Sequence, residues 1–322
     1  MSRLTLSYCA VVLFLSSTHA APPEPLVTGL KNPASVVVGL DGRIYVTVIG
    51  EFDRDGDGAV MVLDGNKAVP FATGLDDPKG IMSFQRFLFV ADKKRVVRID
   101  PKGQVTVLAK PEAFPVAPVF LNDIAVDEQG TLYVSDSGDL KGNGGAIFRI
   151  DQKGKVTLVA DGKKNPAVKA PNGLLHDSLM HLLFVDLSTG ELHRLKIADG
   201  TSEKLANGFG GADGLVFDPY GRLYVSDWKN GKVFVIPRPG EKPVLLAEGF
   251  QSAADLCYDI PRRRLLVPDM KAGTITAIAA QVPGAEVDDT PLPLEPAVAF
   301  PNLEWTGWEK EAKGKLVQLR PI

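Results

Sequence analysis

The chain has 322 residues, and 36 Lys and Arg against 39 Asp and Glu give it a formal charge of -3. A balance this close to neutral, with no basic cluster, leaves no electrostatic footprint for nucleic acid or an anionic membrane surface. Hydrophobic residues make up 45%, and Gly and Pro number 32 and 24, which is enough core and enough turns for one large β domain.

In chain order, residues 1–20 come first and stand apart from the rest. Arg3 gives a positive end, residues 8–15 a short apolar stretch too brief to span a bilayer, and Thr18-His19-Ala20 a small-residue cleavage pattern. They read as a signal peptide, which predicts a secreted or periplasmic mature protein. Cys9 falls inside that leader, so Cys257 is the only cysteine of the mature chain and no intramolecular disulfide can form.

Residues 21–280 then repeat one unit. In its clearest copy, apolar runs at 215–217 and 223–225 flank Asp218-Pro219-Tyr220-Gly221, where Pro presets φ and Gly takes the permissive corner of a hairpin. Runs at 232–236 and 243–247 supply a third and a fourth strand. Six copies align on the residue opening the first strand: Ala34, Lys79, Asn122, Asn172, Asp213 and Asp255, at spacings of 45, 43, 50, 41 and 42. Four short strands at that period make a propeller blade, so the sequence predicts an all-β, six-bladed β-propeller. The last copy lacks a good fourth strand, and residues 25–30 (PLVTGL) match the missing pattern, which predicts closure of the ring by the N-terminal strand. Residues 281–322 form a Pro-rich linker and tail with Trp305 and Trp308.

The six aligned positions should meet at one mouth of the central channel. Asn122, Asn172 and Asp213 are then oxygen donors from consecutive blades, with Asp255 a fourth, and such a ring suits a hard cation such as calcium or another divalent ion. Asn and Asp also open strands simply because they bond their own backbone in turns, and that reading stands beside the first. The Asp that ends the second strand (Asp92, Asp136, Asp227, Asp269) recurs in copy after copy and reads as a repeat-wide turn residue. In the first copy, Asp53, Asp55, Asp57 and Gly58 form a D-x-D-x-D-G run, a candidate second calcium loop. This loop and the Gly-rich loop 137–145 are placed to roof the mouth. Net charge and the short apolar leader predict no nucleic-acid partner and no membrane span; the chain is expected to be a monomer that takes a small-molecule substrate or ligand.

The segments LNDIAVD, PNGLLHD and ADGLVFDPYGRLYV resemble the regucalcin (senescence marker protein) and gluconolactonase family, with the paraoxonases as more distant kin. The resemblance covers about residues 25–280. It implies a six-bladed propeller with one divalent cation, usually calcium, at the channel mouth, and hydrolysis of lactones or related esters. By position it implies Asn172 and Asp213 as metal ligands, Asn122 as a ligand or a substrate and water contact, and Asp213 as the base. Two positions depart from the pattern: Ala34 stands where the family has a Glu, and Phe120 where an Arg that binds sugar-type substrates often stands. Phe120 argues against a sugar lactone. His176, His181 and His193 read as surface or turn residues and offer no catalytic pair. For the lost carboxylate two opposite compensations are open. Glu51, from the acidic loop, could reach inward and restore the metal site, or Lys79 could place its ammonium among Asp213, Asp255 and the two amides and replace the cation. The first favours a calcium-dependent lactonase or esterase; the second favours a non-catalytic NHL-like propeller that binds a ligand or protein.

Overall fold

The computed structural model describes residues 24–39 and 41–282. The predicted signal peptide lies outside the described residues, as does the tail from residue 283. Blade one comprises Pro33–Val38 (β1), Ile44–Val48 (β2), Gly58–Asp64 (β3) and Lys67–Leu75 (β4). Blade two comprises Pro78–Phe84 (β5), Phe87–Asp92 (β6), Arg95–Ile99 (β7) and Val105–Ala109 (β8). Leu121–Val126 (β9), Leu132–Asp136 (β10), Ala146–Ile150 (β11) and Val156–Asp161 (β12) build blade three. Pro171–Ser178 (β13), His181–Asp186 (β14), Glu191–Lys196 (β15) and Ser202–Asn207 (β16) build blade four. Blade five is Ala212–Phe217 (β17), Leu223–Asp227 (β18), Lys232–Ile236 (β19) and Val244–Glu248 (β20); blade six is Cys257–Asp259 (β21), Arg264–Asp269 (β22) and Thr274–Ala279 (β23). Every blade is an antiparallel meander, and the six together make the expected propeller. No helix among the described residues is long and apolar enough to cross a membrane.

Alternation along the strands sends half of each blade's side chains toward the preceding blade and half toward the next. The result is one apolar core per blade junction. Between blades two and three, for instance, Phe89, Ala91 and Val96 pack with Ile124, Leu132 and Phe148.

The ring closes at two radii. At the outer radius, Leu26 N–H donates to the Ile275 carbonyl at 2.8 Å, Ile275 N–H donates to Val27 at 3.1 Å, and Leu30 N–H donates to Gly273 at 3.0 Å, so residues 26–30 lie beside β23 where a fourth strand belongs. Val27 is buried against Val36, Ile44, Leu266 and Ile275. At the inner radius, Ser35 and Asp255 form a parallel bridge, and Asp255 N–H donates to the Ala34 carbonyl at 3.1 Å. Closure thus joins the first blade to the last without any covalent link.

One irregularity repeats around the channel. The pairing of first to second strand slips between Pro33 and Ser35, Pro78 and Ile81, Leu121 and Ile124, Pro171 and Leu174, and Ala212 and Leu215. The residues inside these bulges are Ala34, Lys79-Gly80, Asn122-Asp123, Asn172-Gly173 and Asp213-Gly214. A bulge re-aims the side chain it carries, and here it turns each aligned position toward the channel mouth.

Candidate functional site

Two kinds of contact hold the bulged strands. In blades two to six the Asp that ends the second strand accepts hydrogen bonds from the two backbone amides that lead into the first, whereas the second strand of blade one ends at Val48. Asp136 takes Val119 N–H at 2.7 Å and Phe120 N–H at 2.9 Å; Asp227 takes Gly210 and Gly211 at 2.7 and 2.9 Å. Asp92, Asp186 and Asp269 do the same in their blades. The repeat-wide turn role expected for this Asp therefore holds, and Asp186 joins the set. In the second kind, hydroxyls one position earlier on the second strand reach the next blade: Thr47 Oγ1 donates to the Lys79 carbonyl and Ser135 Oγ to the Asn172 carbonyl, both at 2.6 Å. Register is thereby passed from blade to blade.

The aligned positions converge on a cavity of about 180 Å³ whose lining includes Ala34, Lys79, Asn122, Asn172, Asp213 and Asp255. Phe52 from the acidic loop and Leu140 from the Gly-rich loop line it too, so both loops contribute to the mouth as anticipated. Asn122 Nδ2 donates to Ser137 Oγ at 3.0 Å, which fixes its amide plane. Asn172 is buried, and its Oδ1 has no hydrogen-bond partner. Burial first, then the neighbouring charge of Asp255, holds the Asp213 carboxyl well above the usual carboxylate range, against a hydrogen bond from Asn172. Asp255 accepts a short hydrogen bond from Ser35 Oγ and is still pushed by burial to about 7.

Sequence reasoning missed Asp123. It lines the same cavity, accepts Leu174 N–H at 2.6 Å and Ile124 N–H at 2.7 Å, and is raised by burial and by the Asp255 charge. The signal that could have found it is glycine at the matching position of the neighbouring blade. A Cβ on Gly80 would fall 2.6 Å from the Asp123 Cα, so only glycine lets the two blades approach there.

Neither proposed compensation takes its expected place. Glu51 is exposed, pairs with Arg54 at 3.0 Å, and is absent from the cavity lining. Lys79 does line the cavity and is buried, yet its ammonium donates to the Asp77 carbonyl at 3.2 Å and lies 3.9 Å from the centroid of the Phe120 ring. Burial lowers its pKa to about 8, and the charges acting on it are those of Asp77, Asp92, Lys93 and Asp53, not those of Asp213 and Asp255. Lys79 therefore does not fill the centre of the ring. Its side chain follows the aromatic face that Phe120 supplies.

The acidic loop is also organised differently from a calcium loop. Lys93 binds Asp55 at 2.7 Å with Asp53 at 3.7 Å, while Asp57 turns back to accept Glu51 N–H at 3.0 Å. A lysine ammonium thus supplies the positive charge the spacing suggested, and among the described residues no group of three His, Cys, Asp or Glu side chains is arranged for a metal. The histidines need a correction as well. His176 and His193 are buried, stacked on Tyr133 and Phe184 at 6.1 and 5.0 Å between centroids, because their positions on β13 and β15 face the core that Tyr133 and Phe184 share between blades three and four. His181 remains at the hairpin, 3.2 Å from Ser178 Oγ.

What remains at the centre is an acceptor-rich cradle. An amide oxygen buried without a donor, beside two carboxyls that no cationic side chain relieves, is a set that a hard cation with some water in its shell would satisfy. On this observation Asn122, Asn172 and Asp213 fit a divalent ion with a reduced carboxylate count.

The sequence profile of the SMP-30/Gluconolactonase/LRE-like region matches residues 80–267. That span holds Asn122, Asn172, Asp213 and Asp255 and leaves out blade one, where Ala34 sits. No curated protein matches the chain. Among solved structures, an X-ray structure carrying a provisional gluconolactonase assignment is 19% identical with a TM-score of 0.61, over 81% of this chain and 97% of that chain. At that identity the likeness is one of fold.

Proposed function

The chain belongs to the SMP-30/gluconolactonase/LRE-like family, and from that membership we propose that it is a secreted, divalent-cation-dependent hydrolase of lactones or related esters acting at the channel mouth. The observation that carries this reading is the buried, unpartnered Asn172 Oδ1 beside Asp213 in the wall of the mouth cavity. Asn122, Asn172 and Asp213 would hold the ion, calcium first among candidates. A divalent cation in that position supplies Lewis acidity toward a carbonyl oxygen.

The chain's own residues supply the rest. Asp213, raised by burial, is a carboxyl able to take a proton from an attacking water. As the water oxygen bonds to the acyl carbon and the ring C–O bond breaks, that proton returns to the leaving alkoxide, so one water is consumed and one hydroxy acid is released. Asn122, fixed by Ser137, orients the acyl group, while Phe52 and Leu140 exclude bulk water from above. Residues 1–20 support export, and a mature N-terminus at Ala21 in the purified protein would agree with it.

The test is a panel of lactones and aryl esters assayed with and without a chelator, in wild type and in Asp213→Asn. Hydrolysis that falls about 10²–10⁴-fold in the variant, and that calcium restores to the chelated wild type, supports the reading. No turnover on any member of the panel would turn attention to the non-catalytic, NHL-like alternative.

A further inference from the structure

Lys79 is the only cationic side chain in the lining of the mouth cavity among the described residues. Its ammonium is buried with one carbonyl and one aromatic face for company, and no carboxylate pairs with it among the described residues. The nearest acid in sequence, Asp77, commits its side chain elsewhere, to Asp53 N–H at 3.2 Å and to Lys93 at 3.8 Å. The charges of Asp77, Asp92 and Asp53 act on it only through space, so this buried ammonium has two soft partners and no carboxylate in direct contact. The open side of Lys79 is the cavity.

The rest of the lining says what kind of anion. Ile49, Phe52, Leu140, Leu187, Trp228 and Met270 form an apolar wall, and Phe52 and Leu140 carry it out to solvent. Sugar hydroxyls would lose their water against such a surface and find few partners there, whereas an alkyl or aryl body would gain by burial. Blade two also stands across the six-bladed ring from blade five, so Lys79 and Asp213 give the cavity a basic side and an acidic side.

We propose that Lys79 is an anion seat, and that the cavity takes an apolar monocarboxylate, the alkyl or aryl body lying on the Phe52, Leu140 and Trp228 wall. That this carboxylate is the product of ring or ester opening rests on the hydrolase reading; its binding does not. In that reading Lys79 draws the product's charge away from Asp213, and substrates are apolar lactones or esters rather than sugar lactones.

The experiment titrates three probes by calorimetry: 4-phenylbutyrate, its uncharged amide, and gluconate. Proteins are wild type and Lys79→Met, both with calcium present. Phenylbutyrate should bind wild type at least tenfold more tightly than either the amide or gluconate, and lose that advantage in Lys79→Met. Equal affinity for the amide, tighter gluconate, undetectable phenylbutyrate binding, or indifference to Lys79→Met would each overturn the proposal. If Lys79→Met does not fold, the amide comparison in wild type decides alone. Intact binding with no turnover of any lactone would sink the hydrolase reading and leave the anion seat standing.

Discussion

Asp255 shows how burial at the mouth turns into a property of the whole protein. Its carboxyl is held at about 7 in the fold, against ~3.9 for a free side chain. The folded state keeps a proton that the unfolded chain has already released between those values. Stability present at acid pH is therefore lost as pH rises through 7. In chelator, the thermal midpoint should fall between pH 5 and pH 8, by a free-energy change on the order of 2 kcal/mol. Asp255→Asn should flatten that slope, and added calcium should offset it if the cradle holds the ion, because proton and metal compete for the same charge. A flat profile in chelator would mean that a compensating charge is already present. The sequence marked Asp213 and Asp255 as ring members, since register alone aligns them. It could not mark the direction of Lys79, whose ammonium meets the Asp77 carbonyl beside it in the chain and the ring of Phe120, which leads into the next blade.

At the scale of the element, the bulged first strand is the device that makes a site out of a sheet. Its position is set by the Asp clamp at the end of the second strand, and Asp136 is the clearest case. It is buried and accepts Val119, Phe120 and Gly138 N–H at 2.7, 2.9 and 2.9 Å. Asp136→Ala would strand three amides and should cost about 3 kcal/mol, roughly 5–10 °C in midpoint. The same change frees the backbone of Phe120 and, through it, Asn122. Activity should therefore fall more than stability alone explains, which a KM-against-kcat comparison at 25 °C will detect. An Asp136→Ala protein with wild-type midpoint would remove the clamp from the account. The clamp was legible because Asp recurs at one place in five of the six repeats; the bulge was not, because a slip in pairing leaves no periodic trace in a strand of six residues.

The molecule as a whole depends on closure. Residues 26–30 complete blade six by three backbone hydrogen bonds and by burial of Val27, with no disulfide among the described residues to assist. Val27→Asp places a carboxylate among Val36, Ile44, Leu266 and Ile275 and should destabilise by about 3 kcal/mol or more. Proteolysis should then begin at the first and sixth blades, which limited digestion and mass spectrometry can follow. Cleavage elsewhere would place the weak junction at another blade.

What the sequence determined by itself was the architecture: six repeats, their strand count, the strand borrowed from the N-terminus, and the six positions that face one mouth. These follow from turn chemistry and period, which are local and repeated. The tertiary structure alone decided which of those positions share charge. Glu51, Asp53 and Asp55 were drawn outward by Arg54 and Lys93, Asp57 was turned back against the Glu51 amide, and Asp123 was drawn inward by the space that Gly80 leaves. The physical reason is the same in each case. A charged side chain goes where its partners are, and in a ring of blades those partners lie on neighbouring loops and blades whose approach no local pattern records.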